Sequence, residues 1–425
     1  MDQLNVVLLF SDEFKICLQS NDGRGIVYQR SGERFTQCYM SQMAVTHTSA
    51  DVTINKILLT SLAAGTAAIT VILTYVYYRK YVRRDVMPVK WRPVGTLQQI
   101  NIFPIKSCGA LKLNADEFIE CNVLGLRLLS VLDRALMVIS DKNEMITARK
   151  YPKMVLIHTK LVGNTILHIT APGMDTLELD YAYLSESTLG KDIHTSVWDS
   201  KVDAMLCGDK YDQWFSYYIL GKERGLKLVY YPYPMPIRNT VSRLTKEPYL
   251  QPEDTGTFGD ATSYMLMNLS SIDDLNTRIP RPVDALQFRG NFHLKMYKSQ
   301  AYVEDKWQWI RIGDAAIFRV VAPCTRCIFP NINAVTGERD PEGEPLKTLT
   351  KYRMVTRYSS PALGIHLGLR RAGAVKVHDV IYIEDENEYR MVSRYSSPAS
   401  RIHLGLREAG AVKVNDVIYG EDENE

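Results

Sequence analysis

The chain has 425 residues, with 51 basic and 48 acidic side chains and a net charge of +3 at neutral pH. This length is enough for two or three domains with sizeable cores, and the nearly balanced charge argues against nucleic acid as a partner. The seven cysteines are an odd number scattered along a long chain, which does not indicate a disulfide framework and favours a reducing compartment.

The N-terminal part contains a candidate membrane anchor. Residues 1–56 show no sustained hydrophobic period and receive no role, and Met43 leads us to expect that residues 1–42 precede an alternative start. Residues 57–78 carry no charge, and a helix of that length is roughly 33 Å long, enough to span a bilayer core. The basic cluster of Arg79, Lys80, Arg83 and Arg84 lies after this segment, whereas a signal peptide carries its charges before it, so we predict an uncleaved anchor with the rest of the chain in the cytosol.

Residues 79–93 form a short basic tether, and the chain beyond them is dominated by strand-like patterns. Pro232, Pro234 and Pro236 mark a boundary. We therefore predict a β-rich α+β fold with one β module at 94–235 and a second at 236–388. Helices are predicted at Tyr211 to Leu220 and at Ser270 to Ile279, the latter beginning at its serine. The predicted strands are Ile100 to Ile105, Ala135 to Ile139, Met154 to His158, Ile166 to Ile169, Thr195 to Met205, Phe288 to Lys295 and Trp309 to Val321.

The end of the chain is a tandem repeat of 37 residues, in which 352–388 and 389–425 differ at six positions. Two copies are too few for a solenoid, and both cannot occupy one place in a fold. Gly364 of the first copy is Arg401 in the second. We expect the first copy to belong to the second β module and 389–425 to be an appended segment.

Cys327 is the residue best placed for chemistry. The run from Cys324 to Cys327 follows a predicted strand and begins a loop rich in proline, asparagine and glycine. A thiol at a strand end is both rigid and reachable, and Arg326 would favour the thiolate that a soft metal binds. A buried cysteine pair, a redox-active Cys-x-x-Cys and half of a zinc site remain alternatives. Zinc needs four ligands, and the sequence offers no second Cys-x-x-Cys and no paired histidines at zinc spacing.

Five segments appear in the order found in the MOSC domain family, which includes the mitochondrial amidoxime-reducing components, and this chain resembles that family. The resemblance implies an N-terminal β-barrel module followed by a MOSC β-barrel domain, with an anchor at 57–78 in the mitochondrial outer membrane and the catalytic part in the cytosol. The segments are Asn101 to Ala110, Leu132 to Ile139, Thr147 to Lys153, Phe288 to Asn291, and Cys324 to Cys327 with the VTG that follows.

The resemblance also implies the molybdenum cofactor, Mo-molybdopterin, whose dithiolene holds the metal and whose pterin carries a phosphate. Cys327 matches the metal ligand of the family, whereas Cys324 matches a position that is not a ligand. Arginine, lysine, serine and asparagine suit phosphate and pterin oxygens. The family is also associated with pyridoxal phosphate binding. The positions that match cofactor-binding residues are Lys106, Ser107, Arg134, Thr262, Arg289, Asn291, Thr325, Arg326 and His366.

The implied reaction is the reduction of N-hydroxylated compounds such as amidoximes and hydroxylamines, with electrons from NADH through cytochrome b5 reductase and cytochrome b5. Sulfur transfer and a membrane-tethered cofactor-binding protein without turnover are alternatives. This chain departs from the family at 330–333, where PNIN replaces TTVD, at Ala261, which replaces a threonine, and at His366, where the family often has tyrosine. These departures concern the substrate pocket more than the cofactor.

Overall fold

The structure, a computed structural model, describes residues 5–9, 15–19, 25–28, 86–111, 113, 116–186, 192–239 and 242–385. The predicted anchor at 57–78 and the second repeat copy at 389–425 lie outside these ranges. None of the helices within them combines the length and the apolar character that a membrane crossing requires. The chain divides into two units, Met1–Lys80 and Tyr81–Glu425.

In the first unit, strands β1, β2 and β3 form an antiparallel sheet and span Asn5–Leu9, Lys15–Gln19 and Gly25–Tyr28. The strands of the second unit, β4 to β22, are Trp91–Ile100, Ile119–Asn122, Gly125–Leu128, Val131–Leu132, Leu136–Ser140, His158–Val162, Ile166–Thr170, Leu177–Asp180, Asp192–Val197, Ser200–Leu206, Leu226–Tyr230, Tyr264–Asn268, Phe292–Met296, Trp309–Ile312, Ala316–Thr325, Met354–Val355, Ser360–Arg371, Gly373–Val375 and Val380–Glu384. Its α-helices, α1 to α4, are Tyr181–Glu186, Asp209–Leu220, Leu269–Asn276 and Leu346–Tyr352. Short 3-10 helices lie at Pro152–Leu156, Ser242–Leu244, Pro252–Thr255, Ala285–Phe288, Val303–Lys306, Phe329–Asn331 and Thr356–Tyr358.

Seven strands of the second unit close into a barrel in the order β15, β16, β4, β22, β17, β18 and β20, and β20 pairs back onto β15. The β15–β16 pair is parallel and the other pairs are antiparallel. Closure leaves no open sheet edge among these strands. Strand β4 begins in the predicted tether, which ends at residue 93, and continues into the first predicted module. The other six barrel strands belong to the second predicted module, so the two modules share this barrel.

Aromatic side chains fill the barrel interior. The rings of Tyr264 and Phe292 stack at 5.9 Å between centroids, and Phe318 meets both edge-on at 5.0 and 5.5 Å. All five residues of β15 are buried, because one of its faces lines this interior and α3 packs against the strand from outside. The barrel is therefore a packed core that holds its strand ends in fixed positions.

Smaller sheets make up the N-terminal module. Strands β9, β10 and β11 form one sheet, β12, β13, β14 and β8 form a second, and β5, β6 and β7 form a third. Helix α2 packs on β14. Strand β21, which comes from the first repeat copy, extends the third sheet by pairing with β5. The first copy thus supplies strands to both the barrel and this module.

The β-rich prediction is confirmed, but several predicted elements differ in detail. The strand predicted at Ile100 to Ile105 ends at its first residue. The apolar residues beyond it, such as Ile102 and Phe103, lie in a buried loop, whose carbonyls accept backbone hydrogen bonds from Arg134 and Leu136. The strand predicted at Met154 to His158 is largely a 3-10 helix, because Pro152 at its start favours a helical turn. Apolar runs that fill a core from loops and short helices mimic strands in a sequence.

Two predicted boundaries also move. Helix α3 begins after Asn268, whose side chain accepts a hydrogen bond from the backbone N–H of Ser270, so asparagine and not serine is its N-cap. The strand predicted from Phe288 starts only at Phe292, because Arg289 adopts a left-handed conformation with φ 58° and turns the chain there. This turn becomes important at the functional site.

Gly364 on β20 lies in a space too small for a side chain, and the second repeat copy has Arg401 at the matching position. The φ of Gly364 is +77°, and a Cβ there would lie 2.6 Å from the Leu266 carbonyl oxygen and 2.7 Å from the Met265 and Met267 side chains. We expect Gly364→Arg, the change present in the second copy, to lower the free energy of unfolding by more than about 4 kcal/mol. Urea denaturation followed by tryptophan fluorescence measures this loss.

Gly173 provides the matched control for that substitution. Its φ is +73°, and a Cβ there would meet no atom within 4 Å. Gly173→Arg should therefore cost only the left-handed backbone penalty, about 1–2 kcal/mol. Equal losses of unfolding free energy in the two variants would show that the positive φ alone, and not the lack of space around Gly364, causes the destabilisation.

Candidate functional site

Strand β18 ends beside a short loop that carries Cys327 at the protein surface. Cys324 is buried on the strand, whereas Cys327 is exposed, and both are free thiols. The Arg326 backbone N–H donates to the Pro361 carbonyl at 2.7 Å, and its guanidinium donates to the carbonyls of Leu363 and Phe288, each at 2.8 Å. The buried arginine thus fixes the loop from two sides and holds the Cys327 thiol in place.

This arrangement changes the role expected for Arg326. From the sequence we expected the Arg326 charge to favour a thiolate at Cys327. In the structure the guanidinium is buried and donates to backbone carbonyls. Burial lowers the pKa of Arg326, while the neighbouring thiols Cys324 and Cys327 act in the opposite direction. Arg326 therefore shapes the wall around the thiol, and we expect no further hydrogen bond from its side chain to a cofactor.

A cavity of about 620 Å³ opens beside Cys327. Ligand cavities of small molecules and cofactors commonly have this size. Residues from the N-terminal module, from the 3-10 turn before β16 and from the end of β18 meet there. All of the predicted site residues line it: Lys106, Ser107, Arg134, Thr262, Arg289, Asn291, Thr325, Arg326, Cys327 and His366.

Backbone conformations also distinguish this cavity. Nine non-glycine residues in the described ranges have positive φ, and four of them line the cavity: Ser107, Arg134, Trp198 and Arg289. Such conformations cost free energy and persist where the surrounding structure enforces them, commonly at binding sites. The strain is therefore concentrated where the sequence predicts a ligand.

Lys106 lies at the floor of the cavity and is almost fully buried. Its ammonium donates to the Phe258 carbonyl at 2.8 Å and forms an ion pair with Asp260, whose side chain faces the cavity. Burial lowers the pKa of Lys106 to about 8, although Asp260 acts in the opposite direction. Burial alone would raise the pKa of Asp260, but the Lys106 ammonium holds it below its usual range. The pair presents both a cation and a carboxylate to a bound ligand.

Arg134 and Arg289 form the cationic wall of the cavity. Their guanidinium carbons lie 4.9 and 4.1 Å from the centroid of the same Phe103 ring. Arg134 pairs with Asp133 and donates to the Arg289 carbonyl at 3.1 Å. Burial, and next the charge of Arg134, lower the pKa of Arg289 to about 9. A guanidinium stays protonated at neutral pH, so two like charges are held close together.

One nitrogen of this wall has no partner. Arg289 donates through Nη1 to the Cys108 carbonyl at 2.5 Å, but its buried Nη2 has no hydrogen-bond partner among the residues the structure describes. A buried donor without an acceptor is costly, and a buried cation more so. An anionic or oxygen-rich ligand in the cavity would satisfy both the nitrogen and the charge.

The remaining predicted residues have defined partners. The Thr262 hydroxyl donates to the Tyr264 carbonyl at 2.9 Å and lies 2.9 Å from Nδ1 of His366. The Asn291 amide donates to the Asn101 carbonyl at 3.1 Å and to Asp133 at 3.2 Å. These hydrogen bonds fix the Thr262, His366 and Asn291 side chains in the cavity lining. Thr262 and His366 therefore keep a polar wall where the family often has tyrosine.

Three further residues at the cavity escaped the sequence analysis. The Trp198 indole N–H donates to Asp260 at 2.9 Å, and the Arg149 guanidinium stacks on the same indole 3.7 Å from its ring centroid. Arg149 lies in the segment Thr147 to Lys153, which carries part of the family resemblance, and Asp260 directly precedes Ala261, one of the departures from the family. Trp198 lies in a two-residue hairpin between β12 and β13 and carries no sequence signal for this role.

The PNIN segment that departs from the family forms an ordered loop. The Asn331 amide donates to the Gly343 carbonyl at 3.0 Å, and its oxygen accepts from the Leu346 N–H at 3.2 Å. Gln287 donates to the Pro330 carbonyl at 3.0 Å, and the Asn333 oxygen caps the next turn. These substitutions therefore build the loop behind the cavity, and of the four residues Pro330 is the one that lines it.

The alternatives for Cys327 can be compared with this geometry. No group of three or more histidine, cysteine, aspartate or glutamate side chains suited to a metal occurs within the described ranges. Cys324 and Cys327 differ in exposure and are both unpaired. This part of the chain therefore offers a metal one exposed cysteine sulfur, and the remaining ligands would have to come with a cofactor.

Comparisons with known proteins agree with the architecture. Residues 94–222 match the MOSC N-terminal beta barrel domain, and residues 253–382 match the MOSC domain. The chain is 32% identical over 322 residues to mitochondrial amidoxime-reducing component 1 of Danio rerio, covering 75% of this chain and 93% of that protein. It is 32% identical over 296 residues to component 2 of Rattus norvegicus, covering 68% and 83%. It is 30% identical over 305 residues to component 1 of Homo sapiens, also covering 68% and 83%. The chain therefore belongs to the MOSC domain family and is a relative of the mitochondrial amidoxime-reducing components.

Proposed function

We propose that this protein is a molybdenum-cofactor-dependent oxidoreductase that reduces N-hydroxylated compounds such as amidoximes and hydroxylamines. The observation that carries the proposal is an exposed thiol, Cys327, in the wall of a cavity that is also lined by Arg289, whose Nη2 has no hydrogen-bond partner among the described residues. The relatives are named for amidoxime reduction. Sulfur transfer and cofactor binding without turnover are the competing functions. The PNIN loop at 330–333, although it departs from the family, gives neither of them specific support.

The residues present fit the molybdenum cofactor. Cys327 would be the protein's ligand to the metal, a soft donor for a soft and redox-active ion. The donors of Lys106, Ser107, Arg134 and Arg289 would hold the phosphate and the pterin oxygens. When bound, the cofactor supplies a redox-active metal able to pass two electrons to an N–O bond. The chain itself contributes the positions of these donors, the fixed thiol and a partly enclosed cavity.

The electron donors and the location are further parts of this proposal. We propose NADH as the electron source, with cytochrome b5 reductase and cytochrome b5 as carriers. The relatives are named mitochondrial components, and we propose the outer mitochondrial membrane, with residues 57–78 as the anchor and the catalytic part in the cytosol. The domain limits at 94–235 and 236–388 also stay predictions.

Reconstitution tests the function directly. The purified full chain would be supplied with NADH, cytochrome b5 and its reductase, and benzamidoxime reduction followed by chromatography of benzamidine. Metal analysis and pterin fluorescence of the same sample report the cofactor. Turnover with bound molybdenum supports the reductase. Bound molybdenum without turnover of benzamidoxime or a hydroxylamine would favour a cofactor-binding protein, and absence of both molybdenum and pterin would reject the proposal.

The lowered pKa of Lys106 predicts that cofactor binding weakens in mild alkali. The ammonium can pair with an anionic cofactor only when protonated, and its pKa in the cofactor-free protein is about 8. Affinity should be constant below that pH and fall above it, by up to about tenfold per pH unit. The pH dependence of the cofactor dissociation constant measures this. In Lys106→Gln the affinity should be lower throughout and the fall near pH 8 absent. A fall that persists in the variant would assign the titration to another group.

A further inference from the structure

A second cavity of about 460 Å³ meets the first at the Cys327 loop. The two share Ser242, Thr325, Arg326 and Cys327, so the thiol stands where they join. Its size is within the range of small-molecule sites. The walls that belong to the second cavity alone are Lys246, Arg357, Tyr358 and Ser360.

The charges around this second cavity are unequal. Arg357 pairs with the buried carboxylate of Glu247 at 3.0 Å, and the Tyr358 hydroxyl donates to the same carboxylate. One carboxylate is therefore shared by both groups, and the Arg357 guanidinium, which has five N–H donors, can also bind a ligand. Lys246 is exposed at the cavity wall, and no ion-pair or hydrogen-bond partner of its ammonium occurs among the described residues. Of the three cationic side chains in the lining, Arg326 binds backbone carbonyls and Arg357 pairs with Glu247, which leaves the Lys246 ammonium for a ligand.

The polar groups of the second cavity are hydroxyls and cations. Apart from Cys327 and the Tyr358 ring, its side chains are those of Ser242, Lys246, Thr325, Arg326, Arg357 and Ser360. The lysine and arginine stems add apolar surface beneath the charged groups, which suits a ligand with an apolar body. The lining also favours a ligand with a polar or anionic group that reaches Lys246 and Arg357.

We propose that this second cavity is the approach for substrate and selects N-hydroxylated compounds that carry an anionic group, such as a carboxylate. This inference rests on the proposed function and names the substrate class. The first cavity is the one whose walls fit the cofactor, and the second leaves Cys327 reachable from the other side. The carboxylate binds Lys246 and Arg357, while the N–OH end points toward the thiol and the metal it would hold.

The chemistry at that end balances without a further reagent. An amidoxime takes up two electrons and two protons, its N–O bond breaks, and an amidine and one water leave. The electrons come from NADH through the proposed carriers. The anionic group does not react, and its contribution is to bind and orient the substrate.

The test compares three probes of similar shape: 4-carboxybenzamidoxime, its neutral analogue 4-carbamoylbenzamidoxime, and benzamidoxime. Calorimetry gives the affinity of each for the cofactor-loaded full chain, and steady-state reduction gives kcat/KM. We expect the carboxylate to bind about fivefold more tightly than the neutral analogue, the upper range for a partly exposed ion pair. Lys246→Gln should remove most of this preference, and added salt should reduce it.

Lys160→Gln is the matched control, because Lys160 is an exposed lysine on β9 outside the lining of either cavity. It should keep the preference unchanged. Equal affinity for the charged and neutral probes, or a preference that survives Lys246→Gln, would overturn the inference. The inference would also be overturned if Lys246→Gln changed only the rate at which cytochrome b5 delivers electrons and left probe affinity unchanged. That result would assign the lysine to docking of cytochrome b5. Charge-selective binding without turnover of any probe would support the selectivity and reject the reductase function.

Discussion

Cys327→Ser should abolish reduction of benzamidoxime, whereas Cys324→Ser should keep most of the activity. Cys327 is exposed on the cavity wall, and serine would replace a soft sulfur ligand with a hard and protonated oxygen. We expect the rate to fall by more than about a hundredfold, beyond the usual effect of changing a group that only supports a ligand. Steady-state assays, with molybdenum and pterin measured on the same samples, check this.

Cys324 is the natural control because it is three residues away in the same loop-strand junction. Its side chain borders the cavity but is buried in a cluster with Met265, Leu349 and Leu363, so serine there should affect packing more than metal binding. A small loss of thermal stability with near-normal turnover is the expected result. Equal loss of metal and activity in both variants would indicate that the two cysteines act as a pair and would reject the single-thiolate assignment.

The residues predicted for the site come from short segments that resemble the MOSC family, and the structure places all of them around one cavity. Lys106 and Ser107 follow one strand, Arg289 and Asn291 precede another, and Cys327 lies in the loop after a third. Their roles stay predictions. Their shared cavity and the left-handed backbone at several of them come from tertiary structure, which a single sequence does not display.

The residues that the sequence missed owe their place to distant contacts. Trp198 reaches the cavity because its hairpin brings it to Asp260, 62 positions along the chain, and no local pattern encodes that approach. The buried loop after Ile100 read as a strand because buried apolar residues alternate there by coincidence with strand spacing. Arg326 was predicted as an electrostatic neighbour of Cys327, but whether a guanidinium faces a thiol or a carbonyl depends on the backbone of other strands.

Arg289→Met should weaken cofactor binding without lowering the melting temperature of the cofactor-free protein. In the protein without cofactor, the Arg289 charge is half-buried beside Arg134, and its Nη2 has no acceptor within the described residues. Methionine removes that unfavourable charge and keeps an unbranched chain over Phe103, so the melting temperature should not fall. Cofactor affinity should fall by at least about thirtyfold, because an enclosed charge-assisted hydrogen bond is lost.

The comparison that decides this prediction is Arg278→Met, two residues beyond the end of α3. Arg278 is largely exposed and pairs with Asp274 one helical turn away at 2.7 Å, so its removal should change the melting temperature and cofactor affinity only slightly. Differential scanning fluorimetry of cofactor-free and loaded protein, with pterin released and quantified, gives both readouts. A cofactor-free Arg289→Met protein that melts well below the wild type would make Arg289 a structural support of the barrel. Only a loss confined to the loaded form makes the arginine a binding residue.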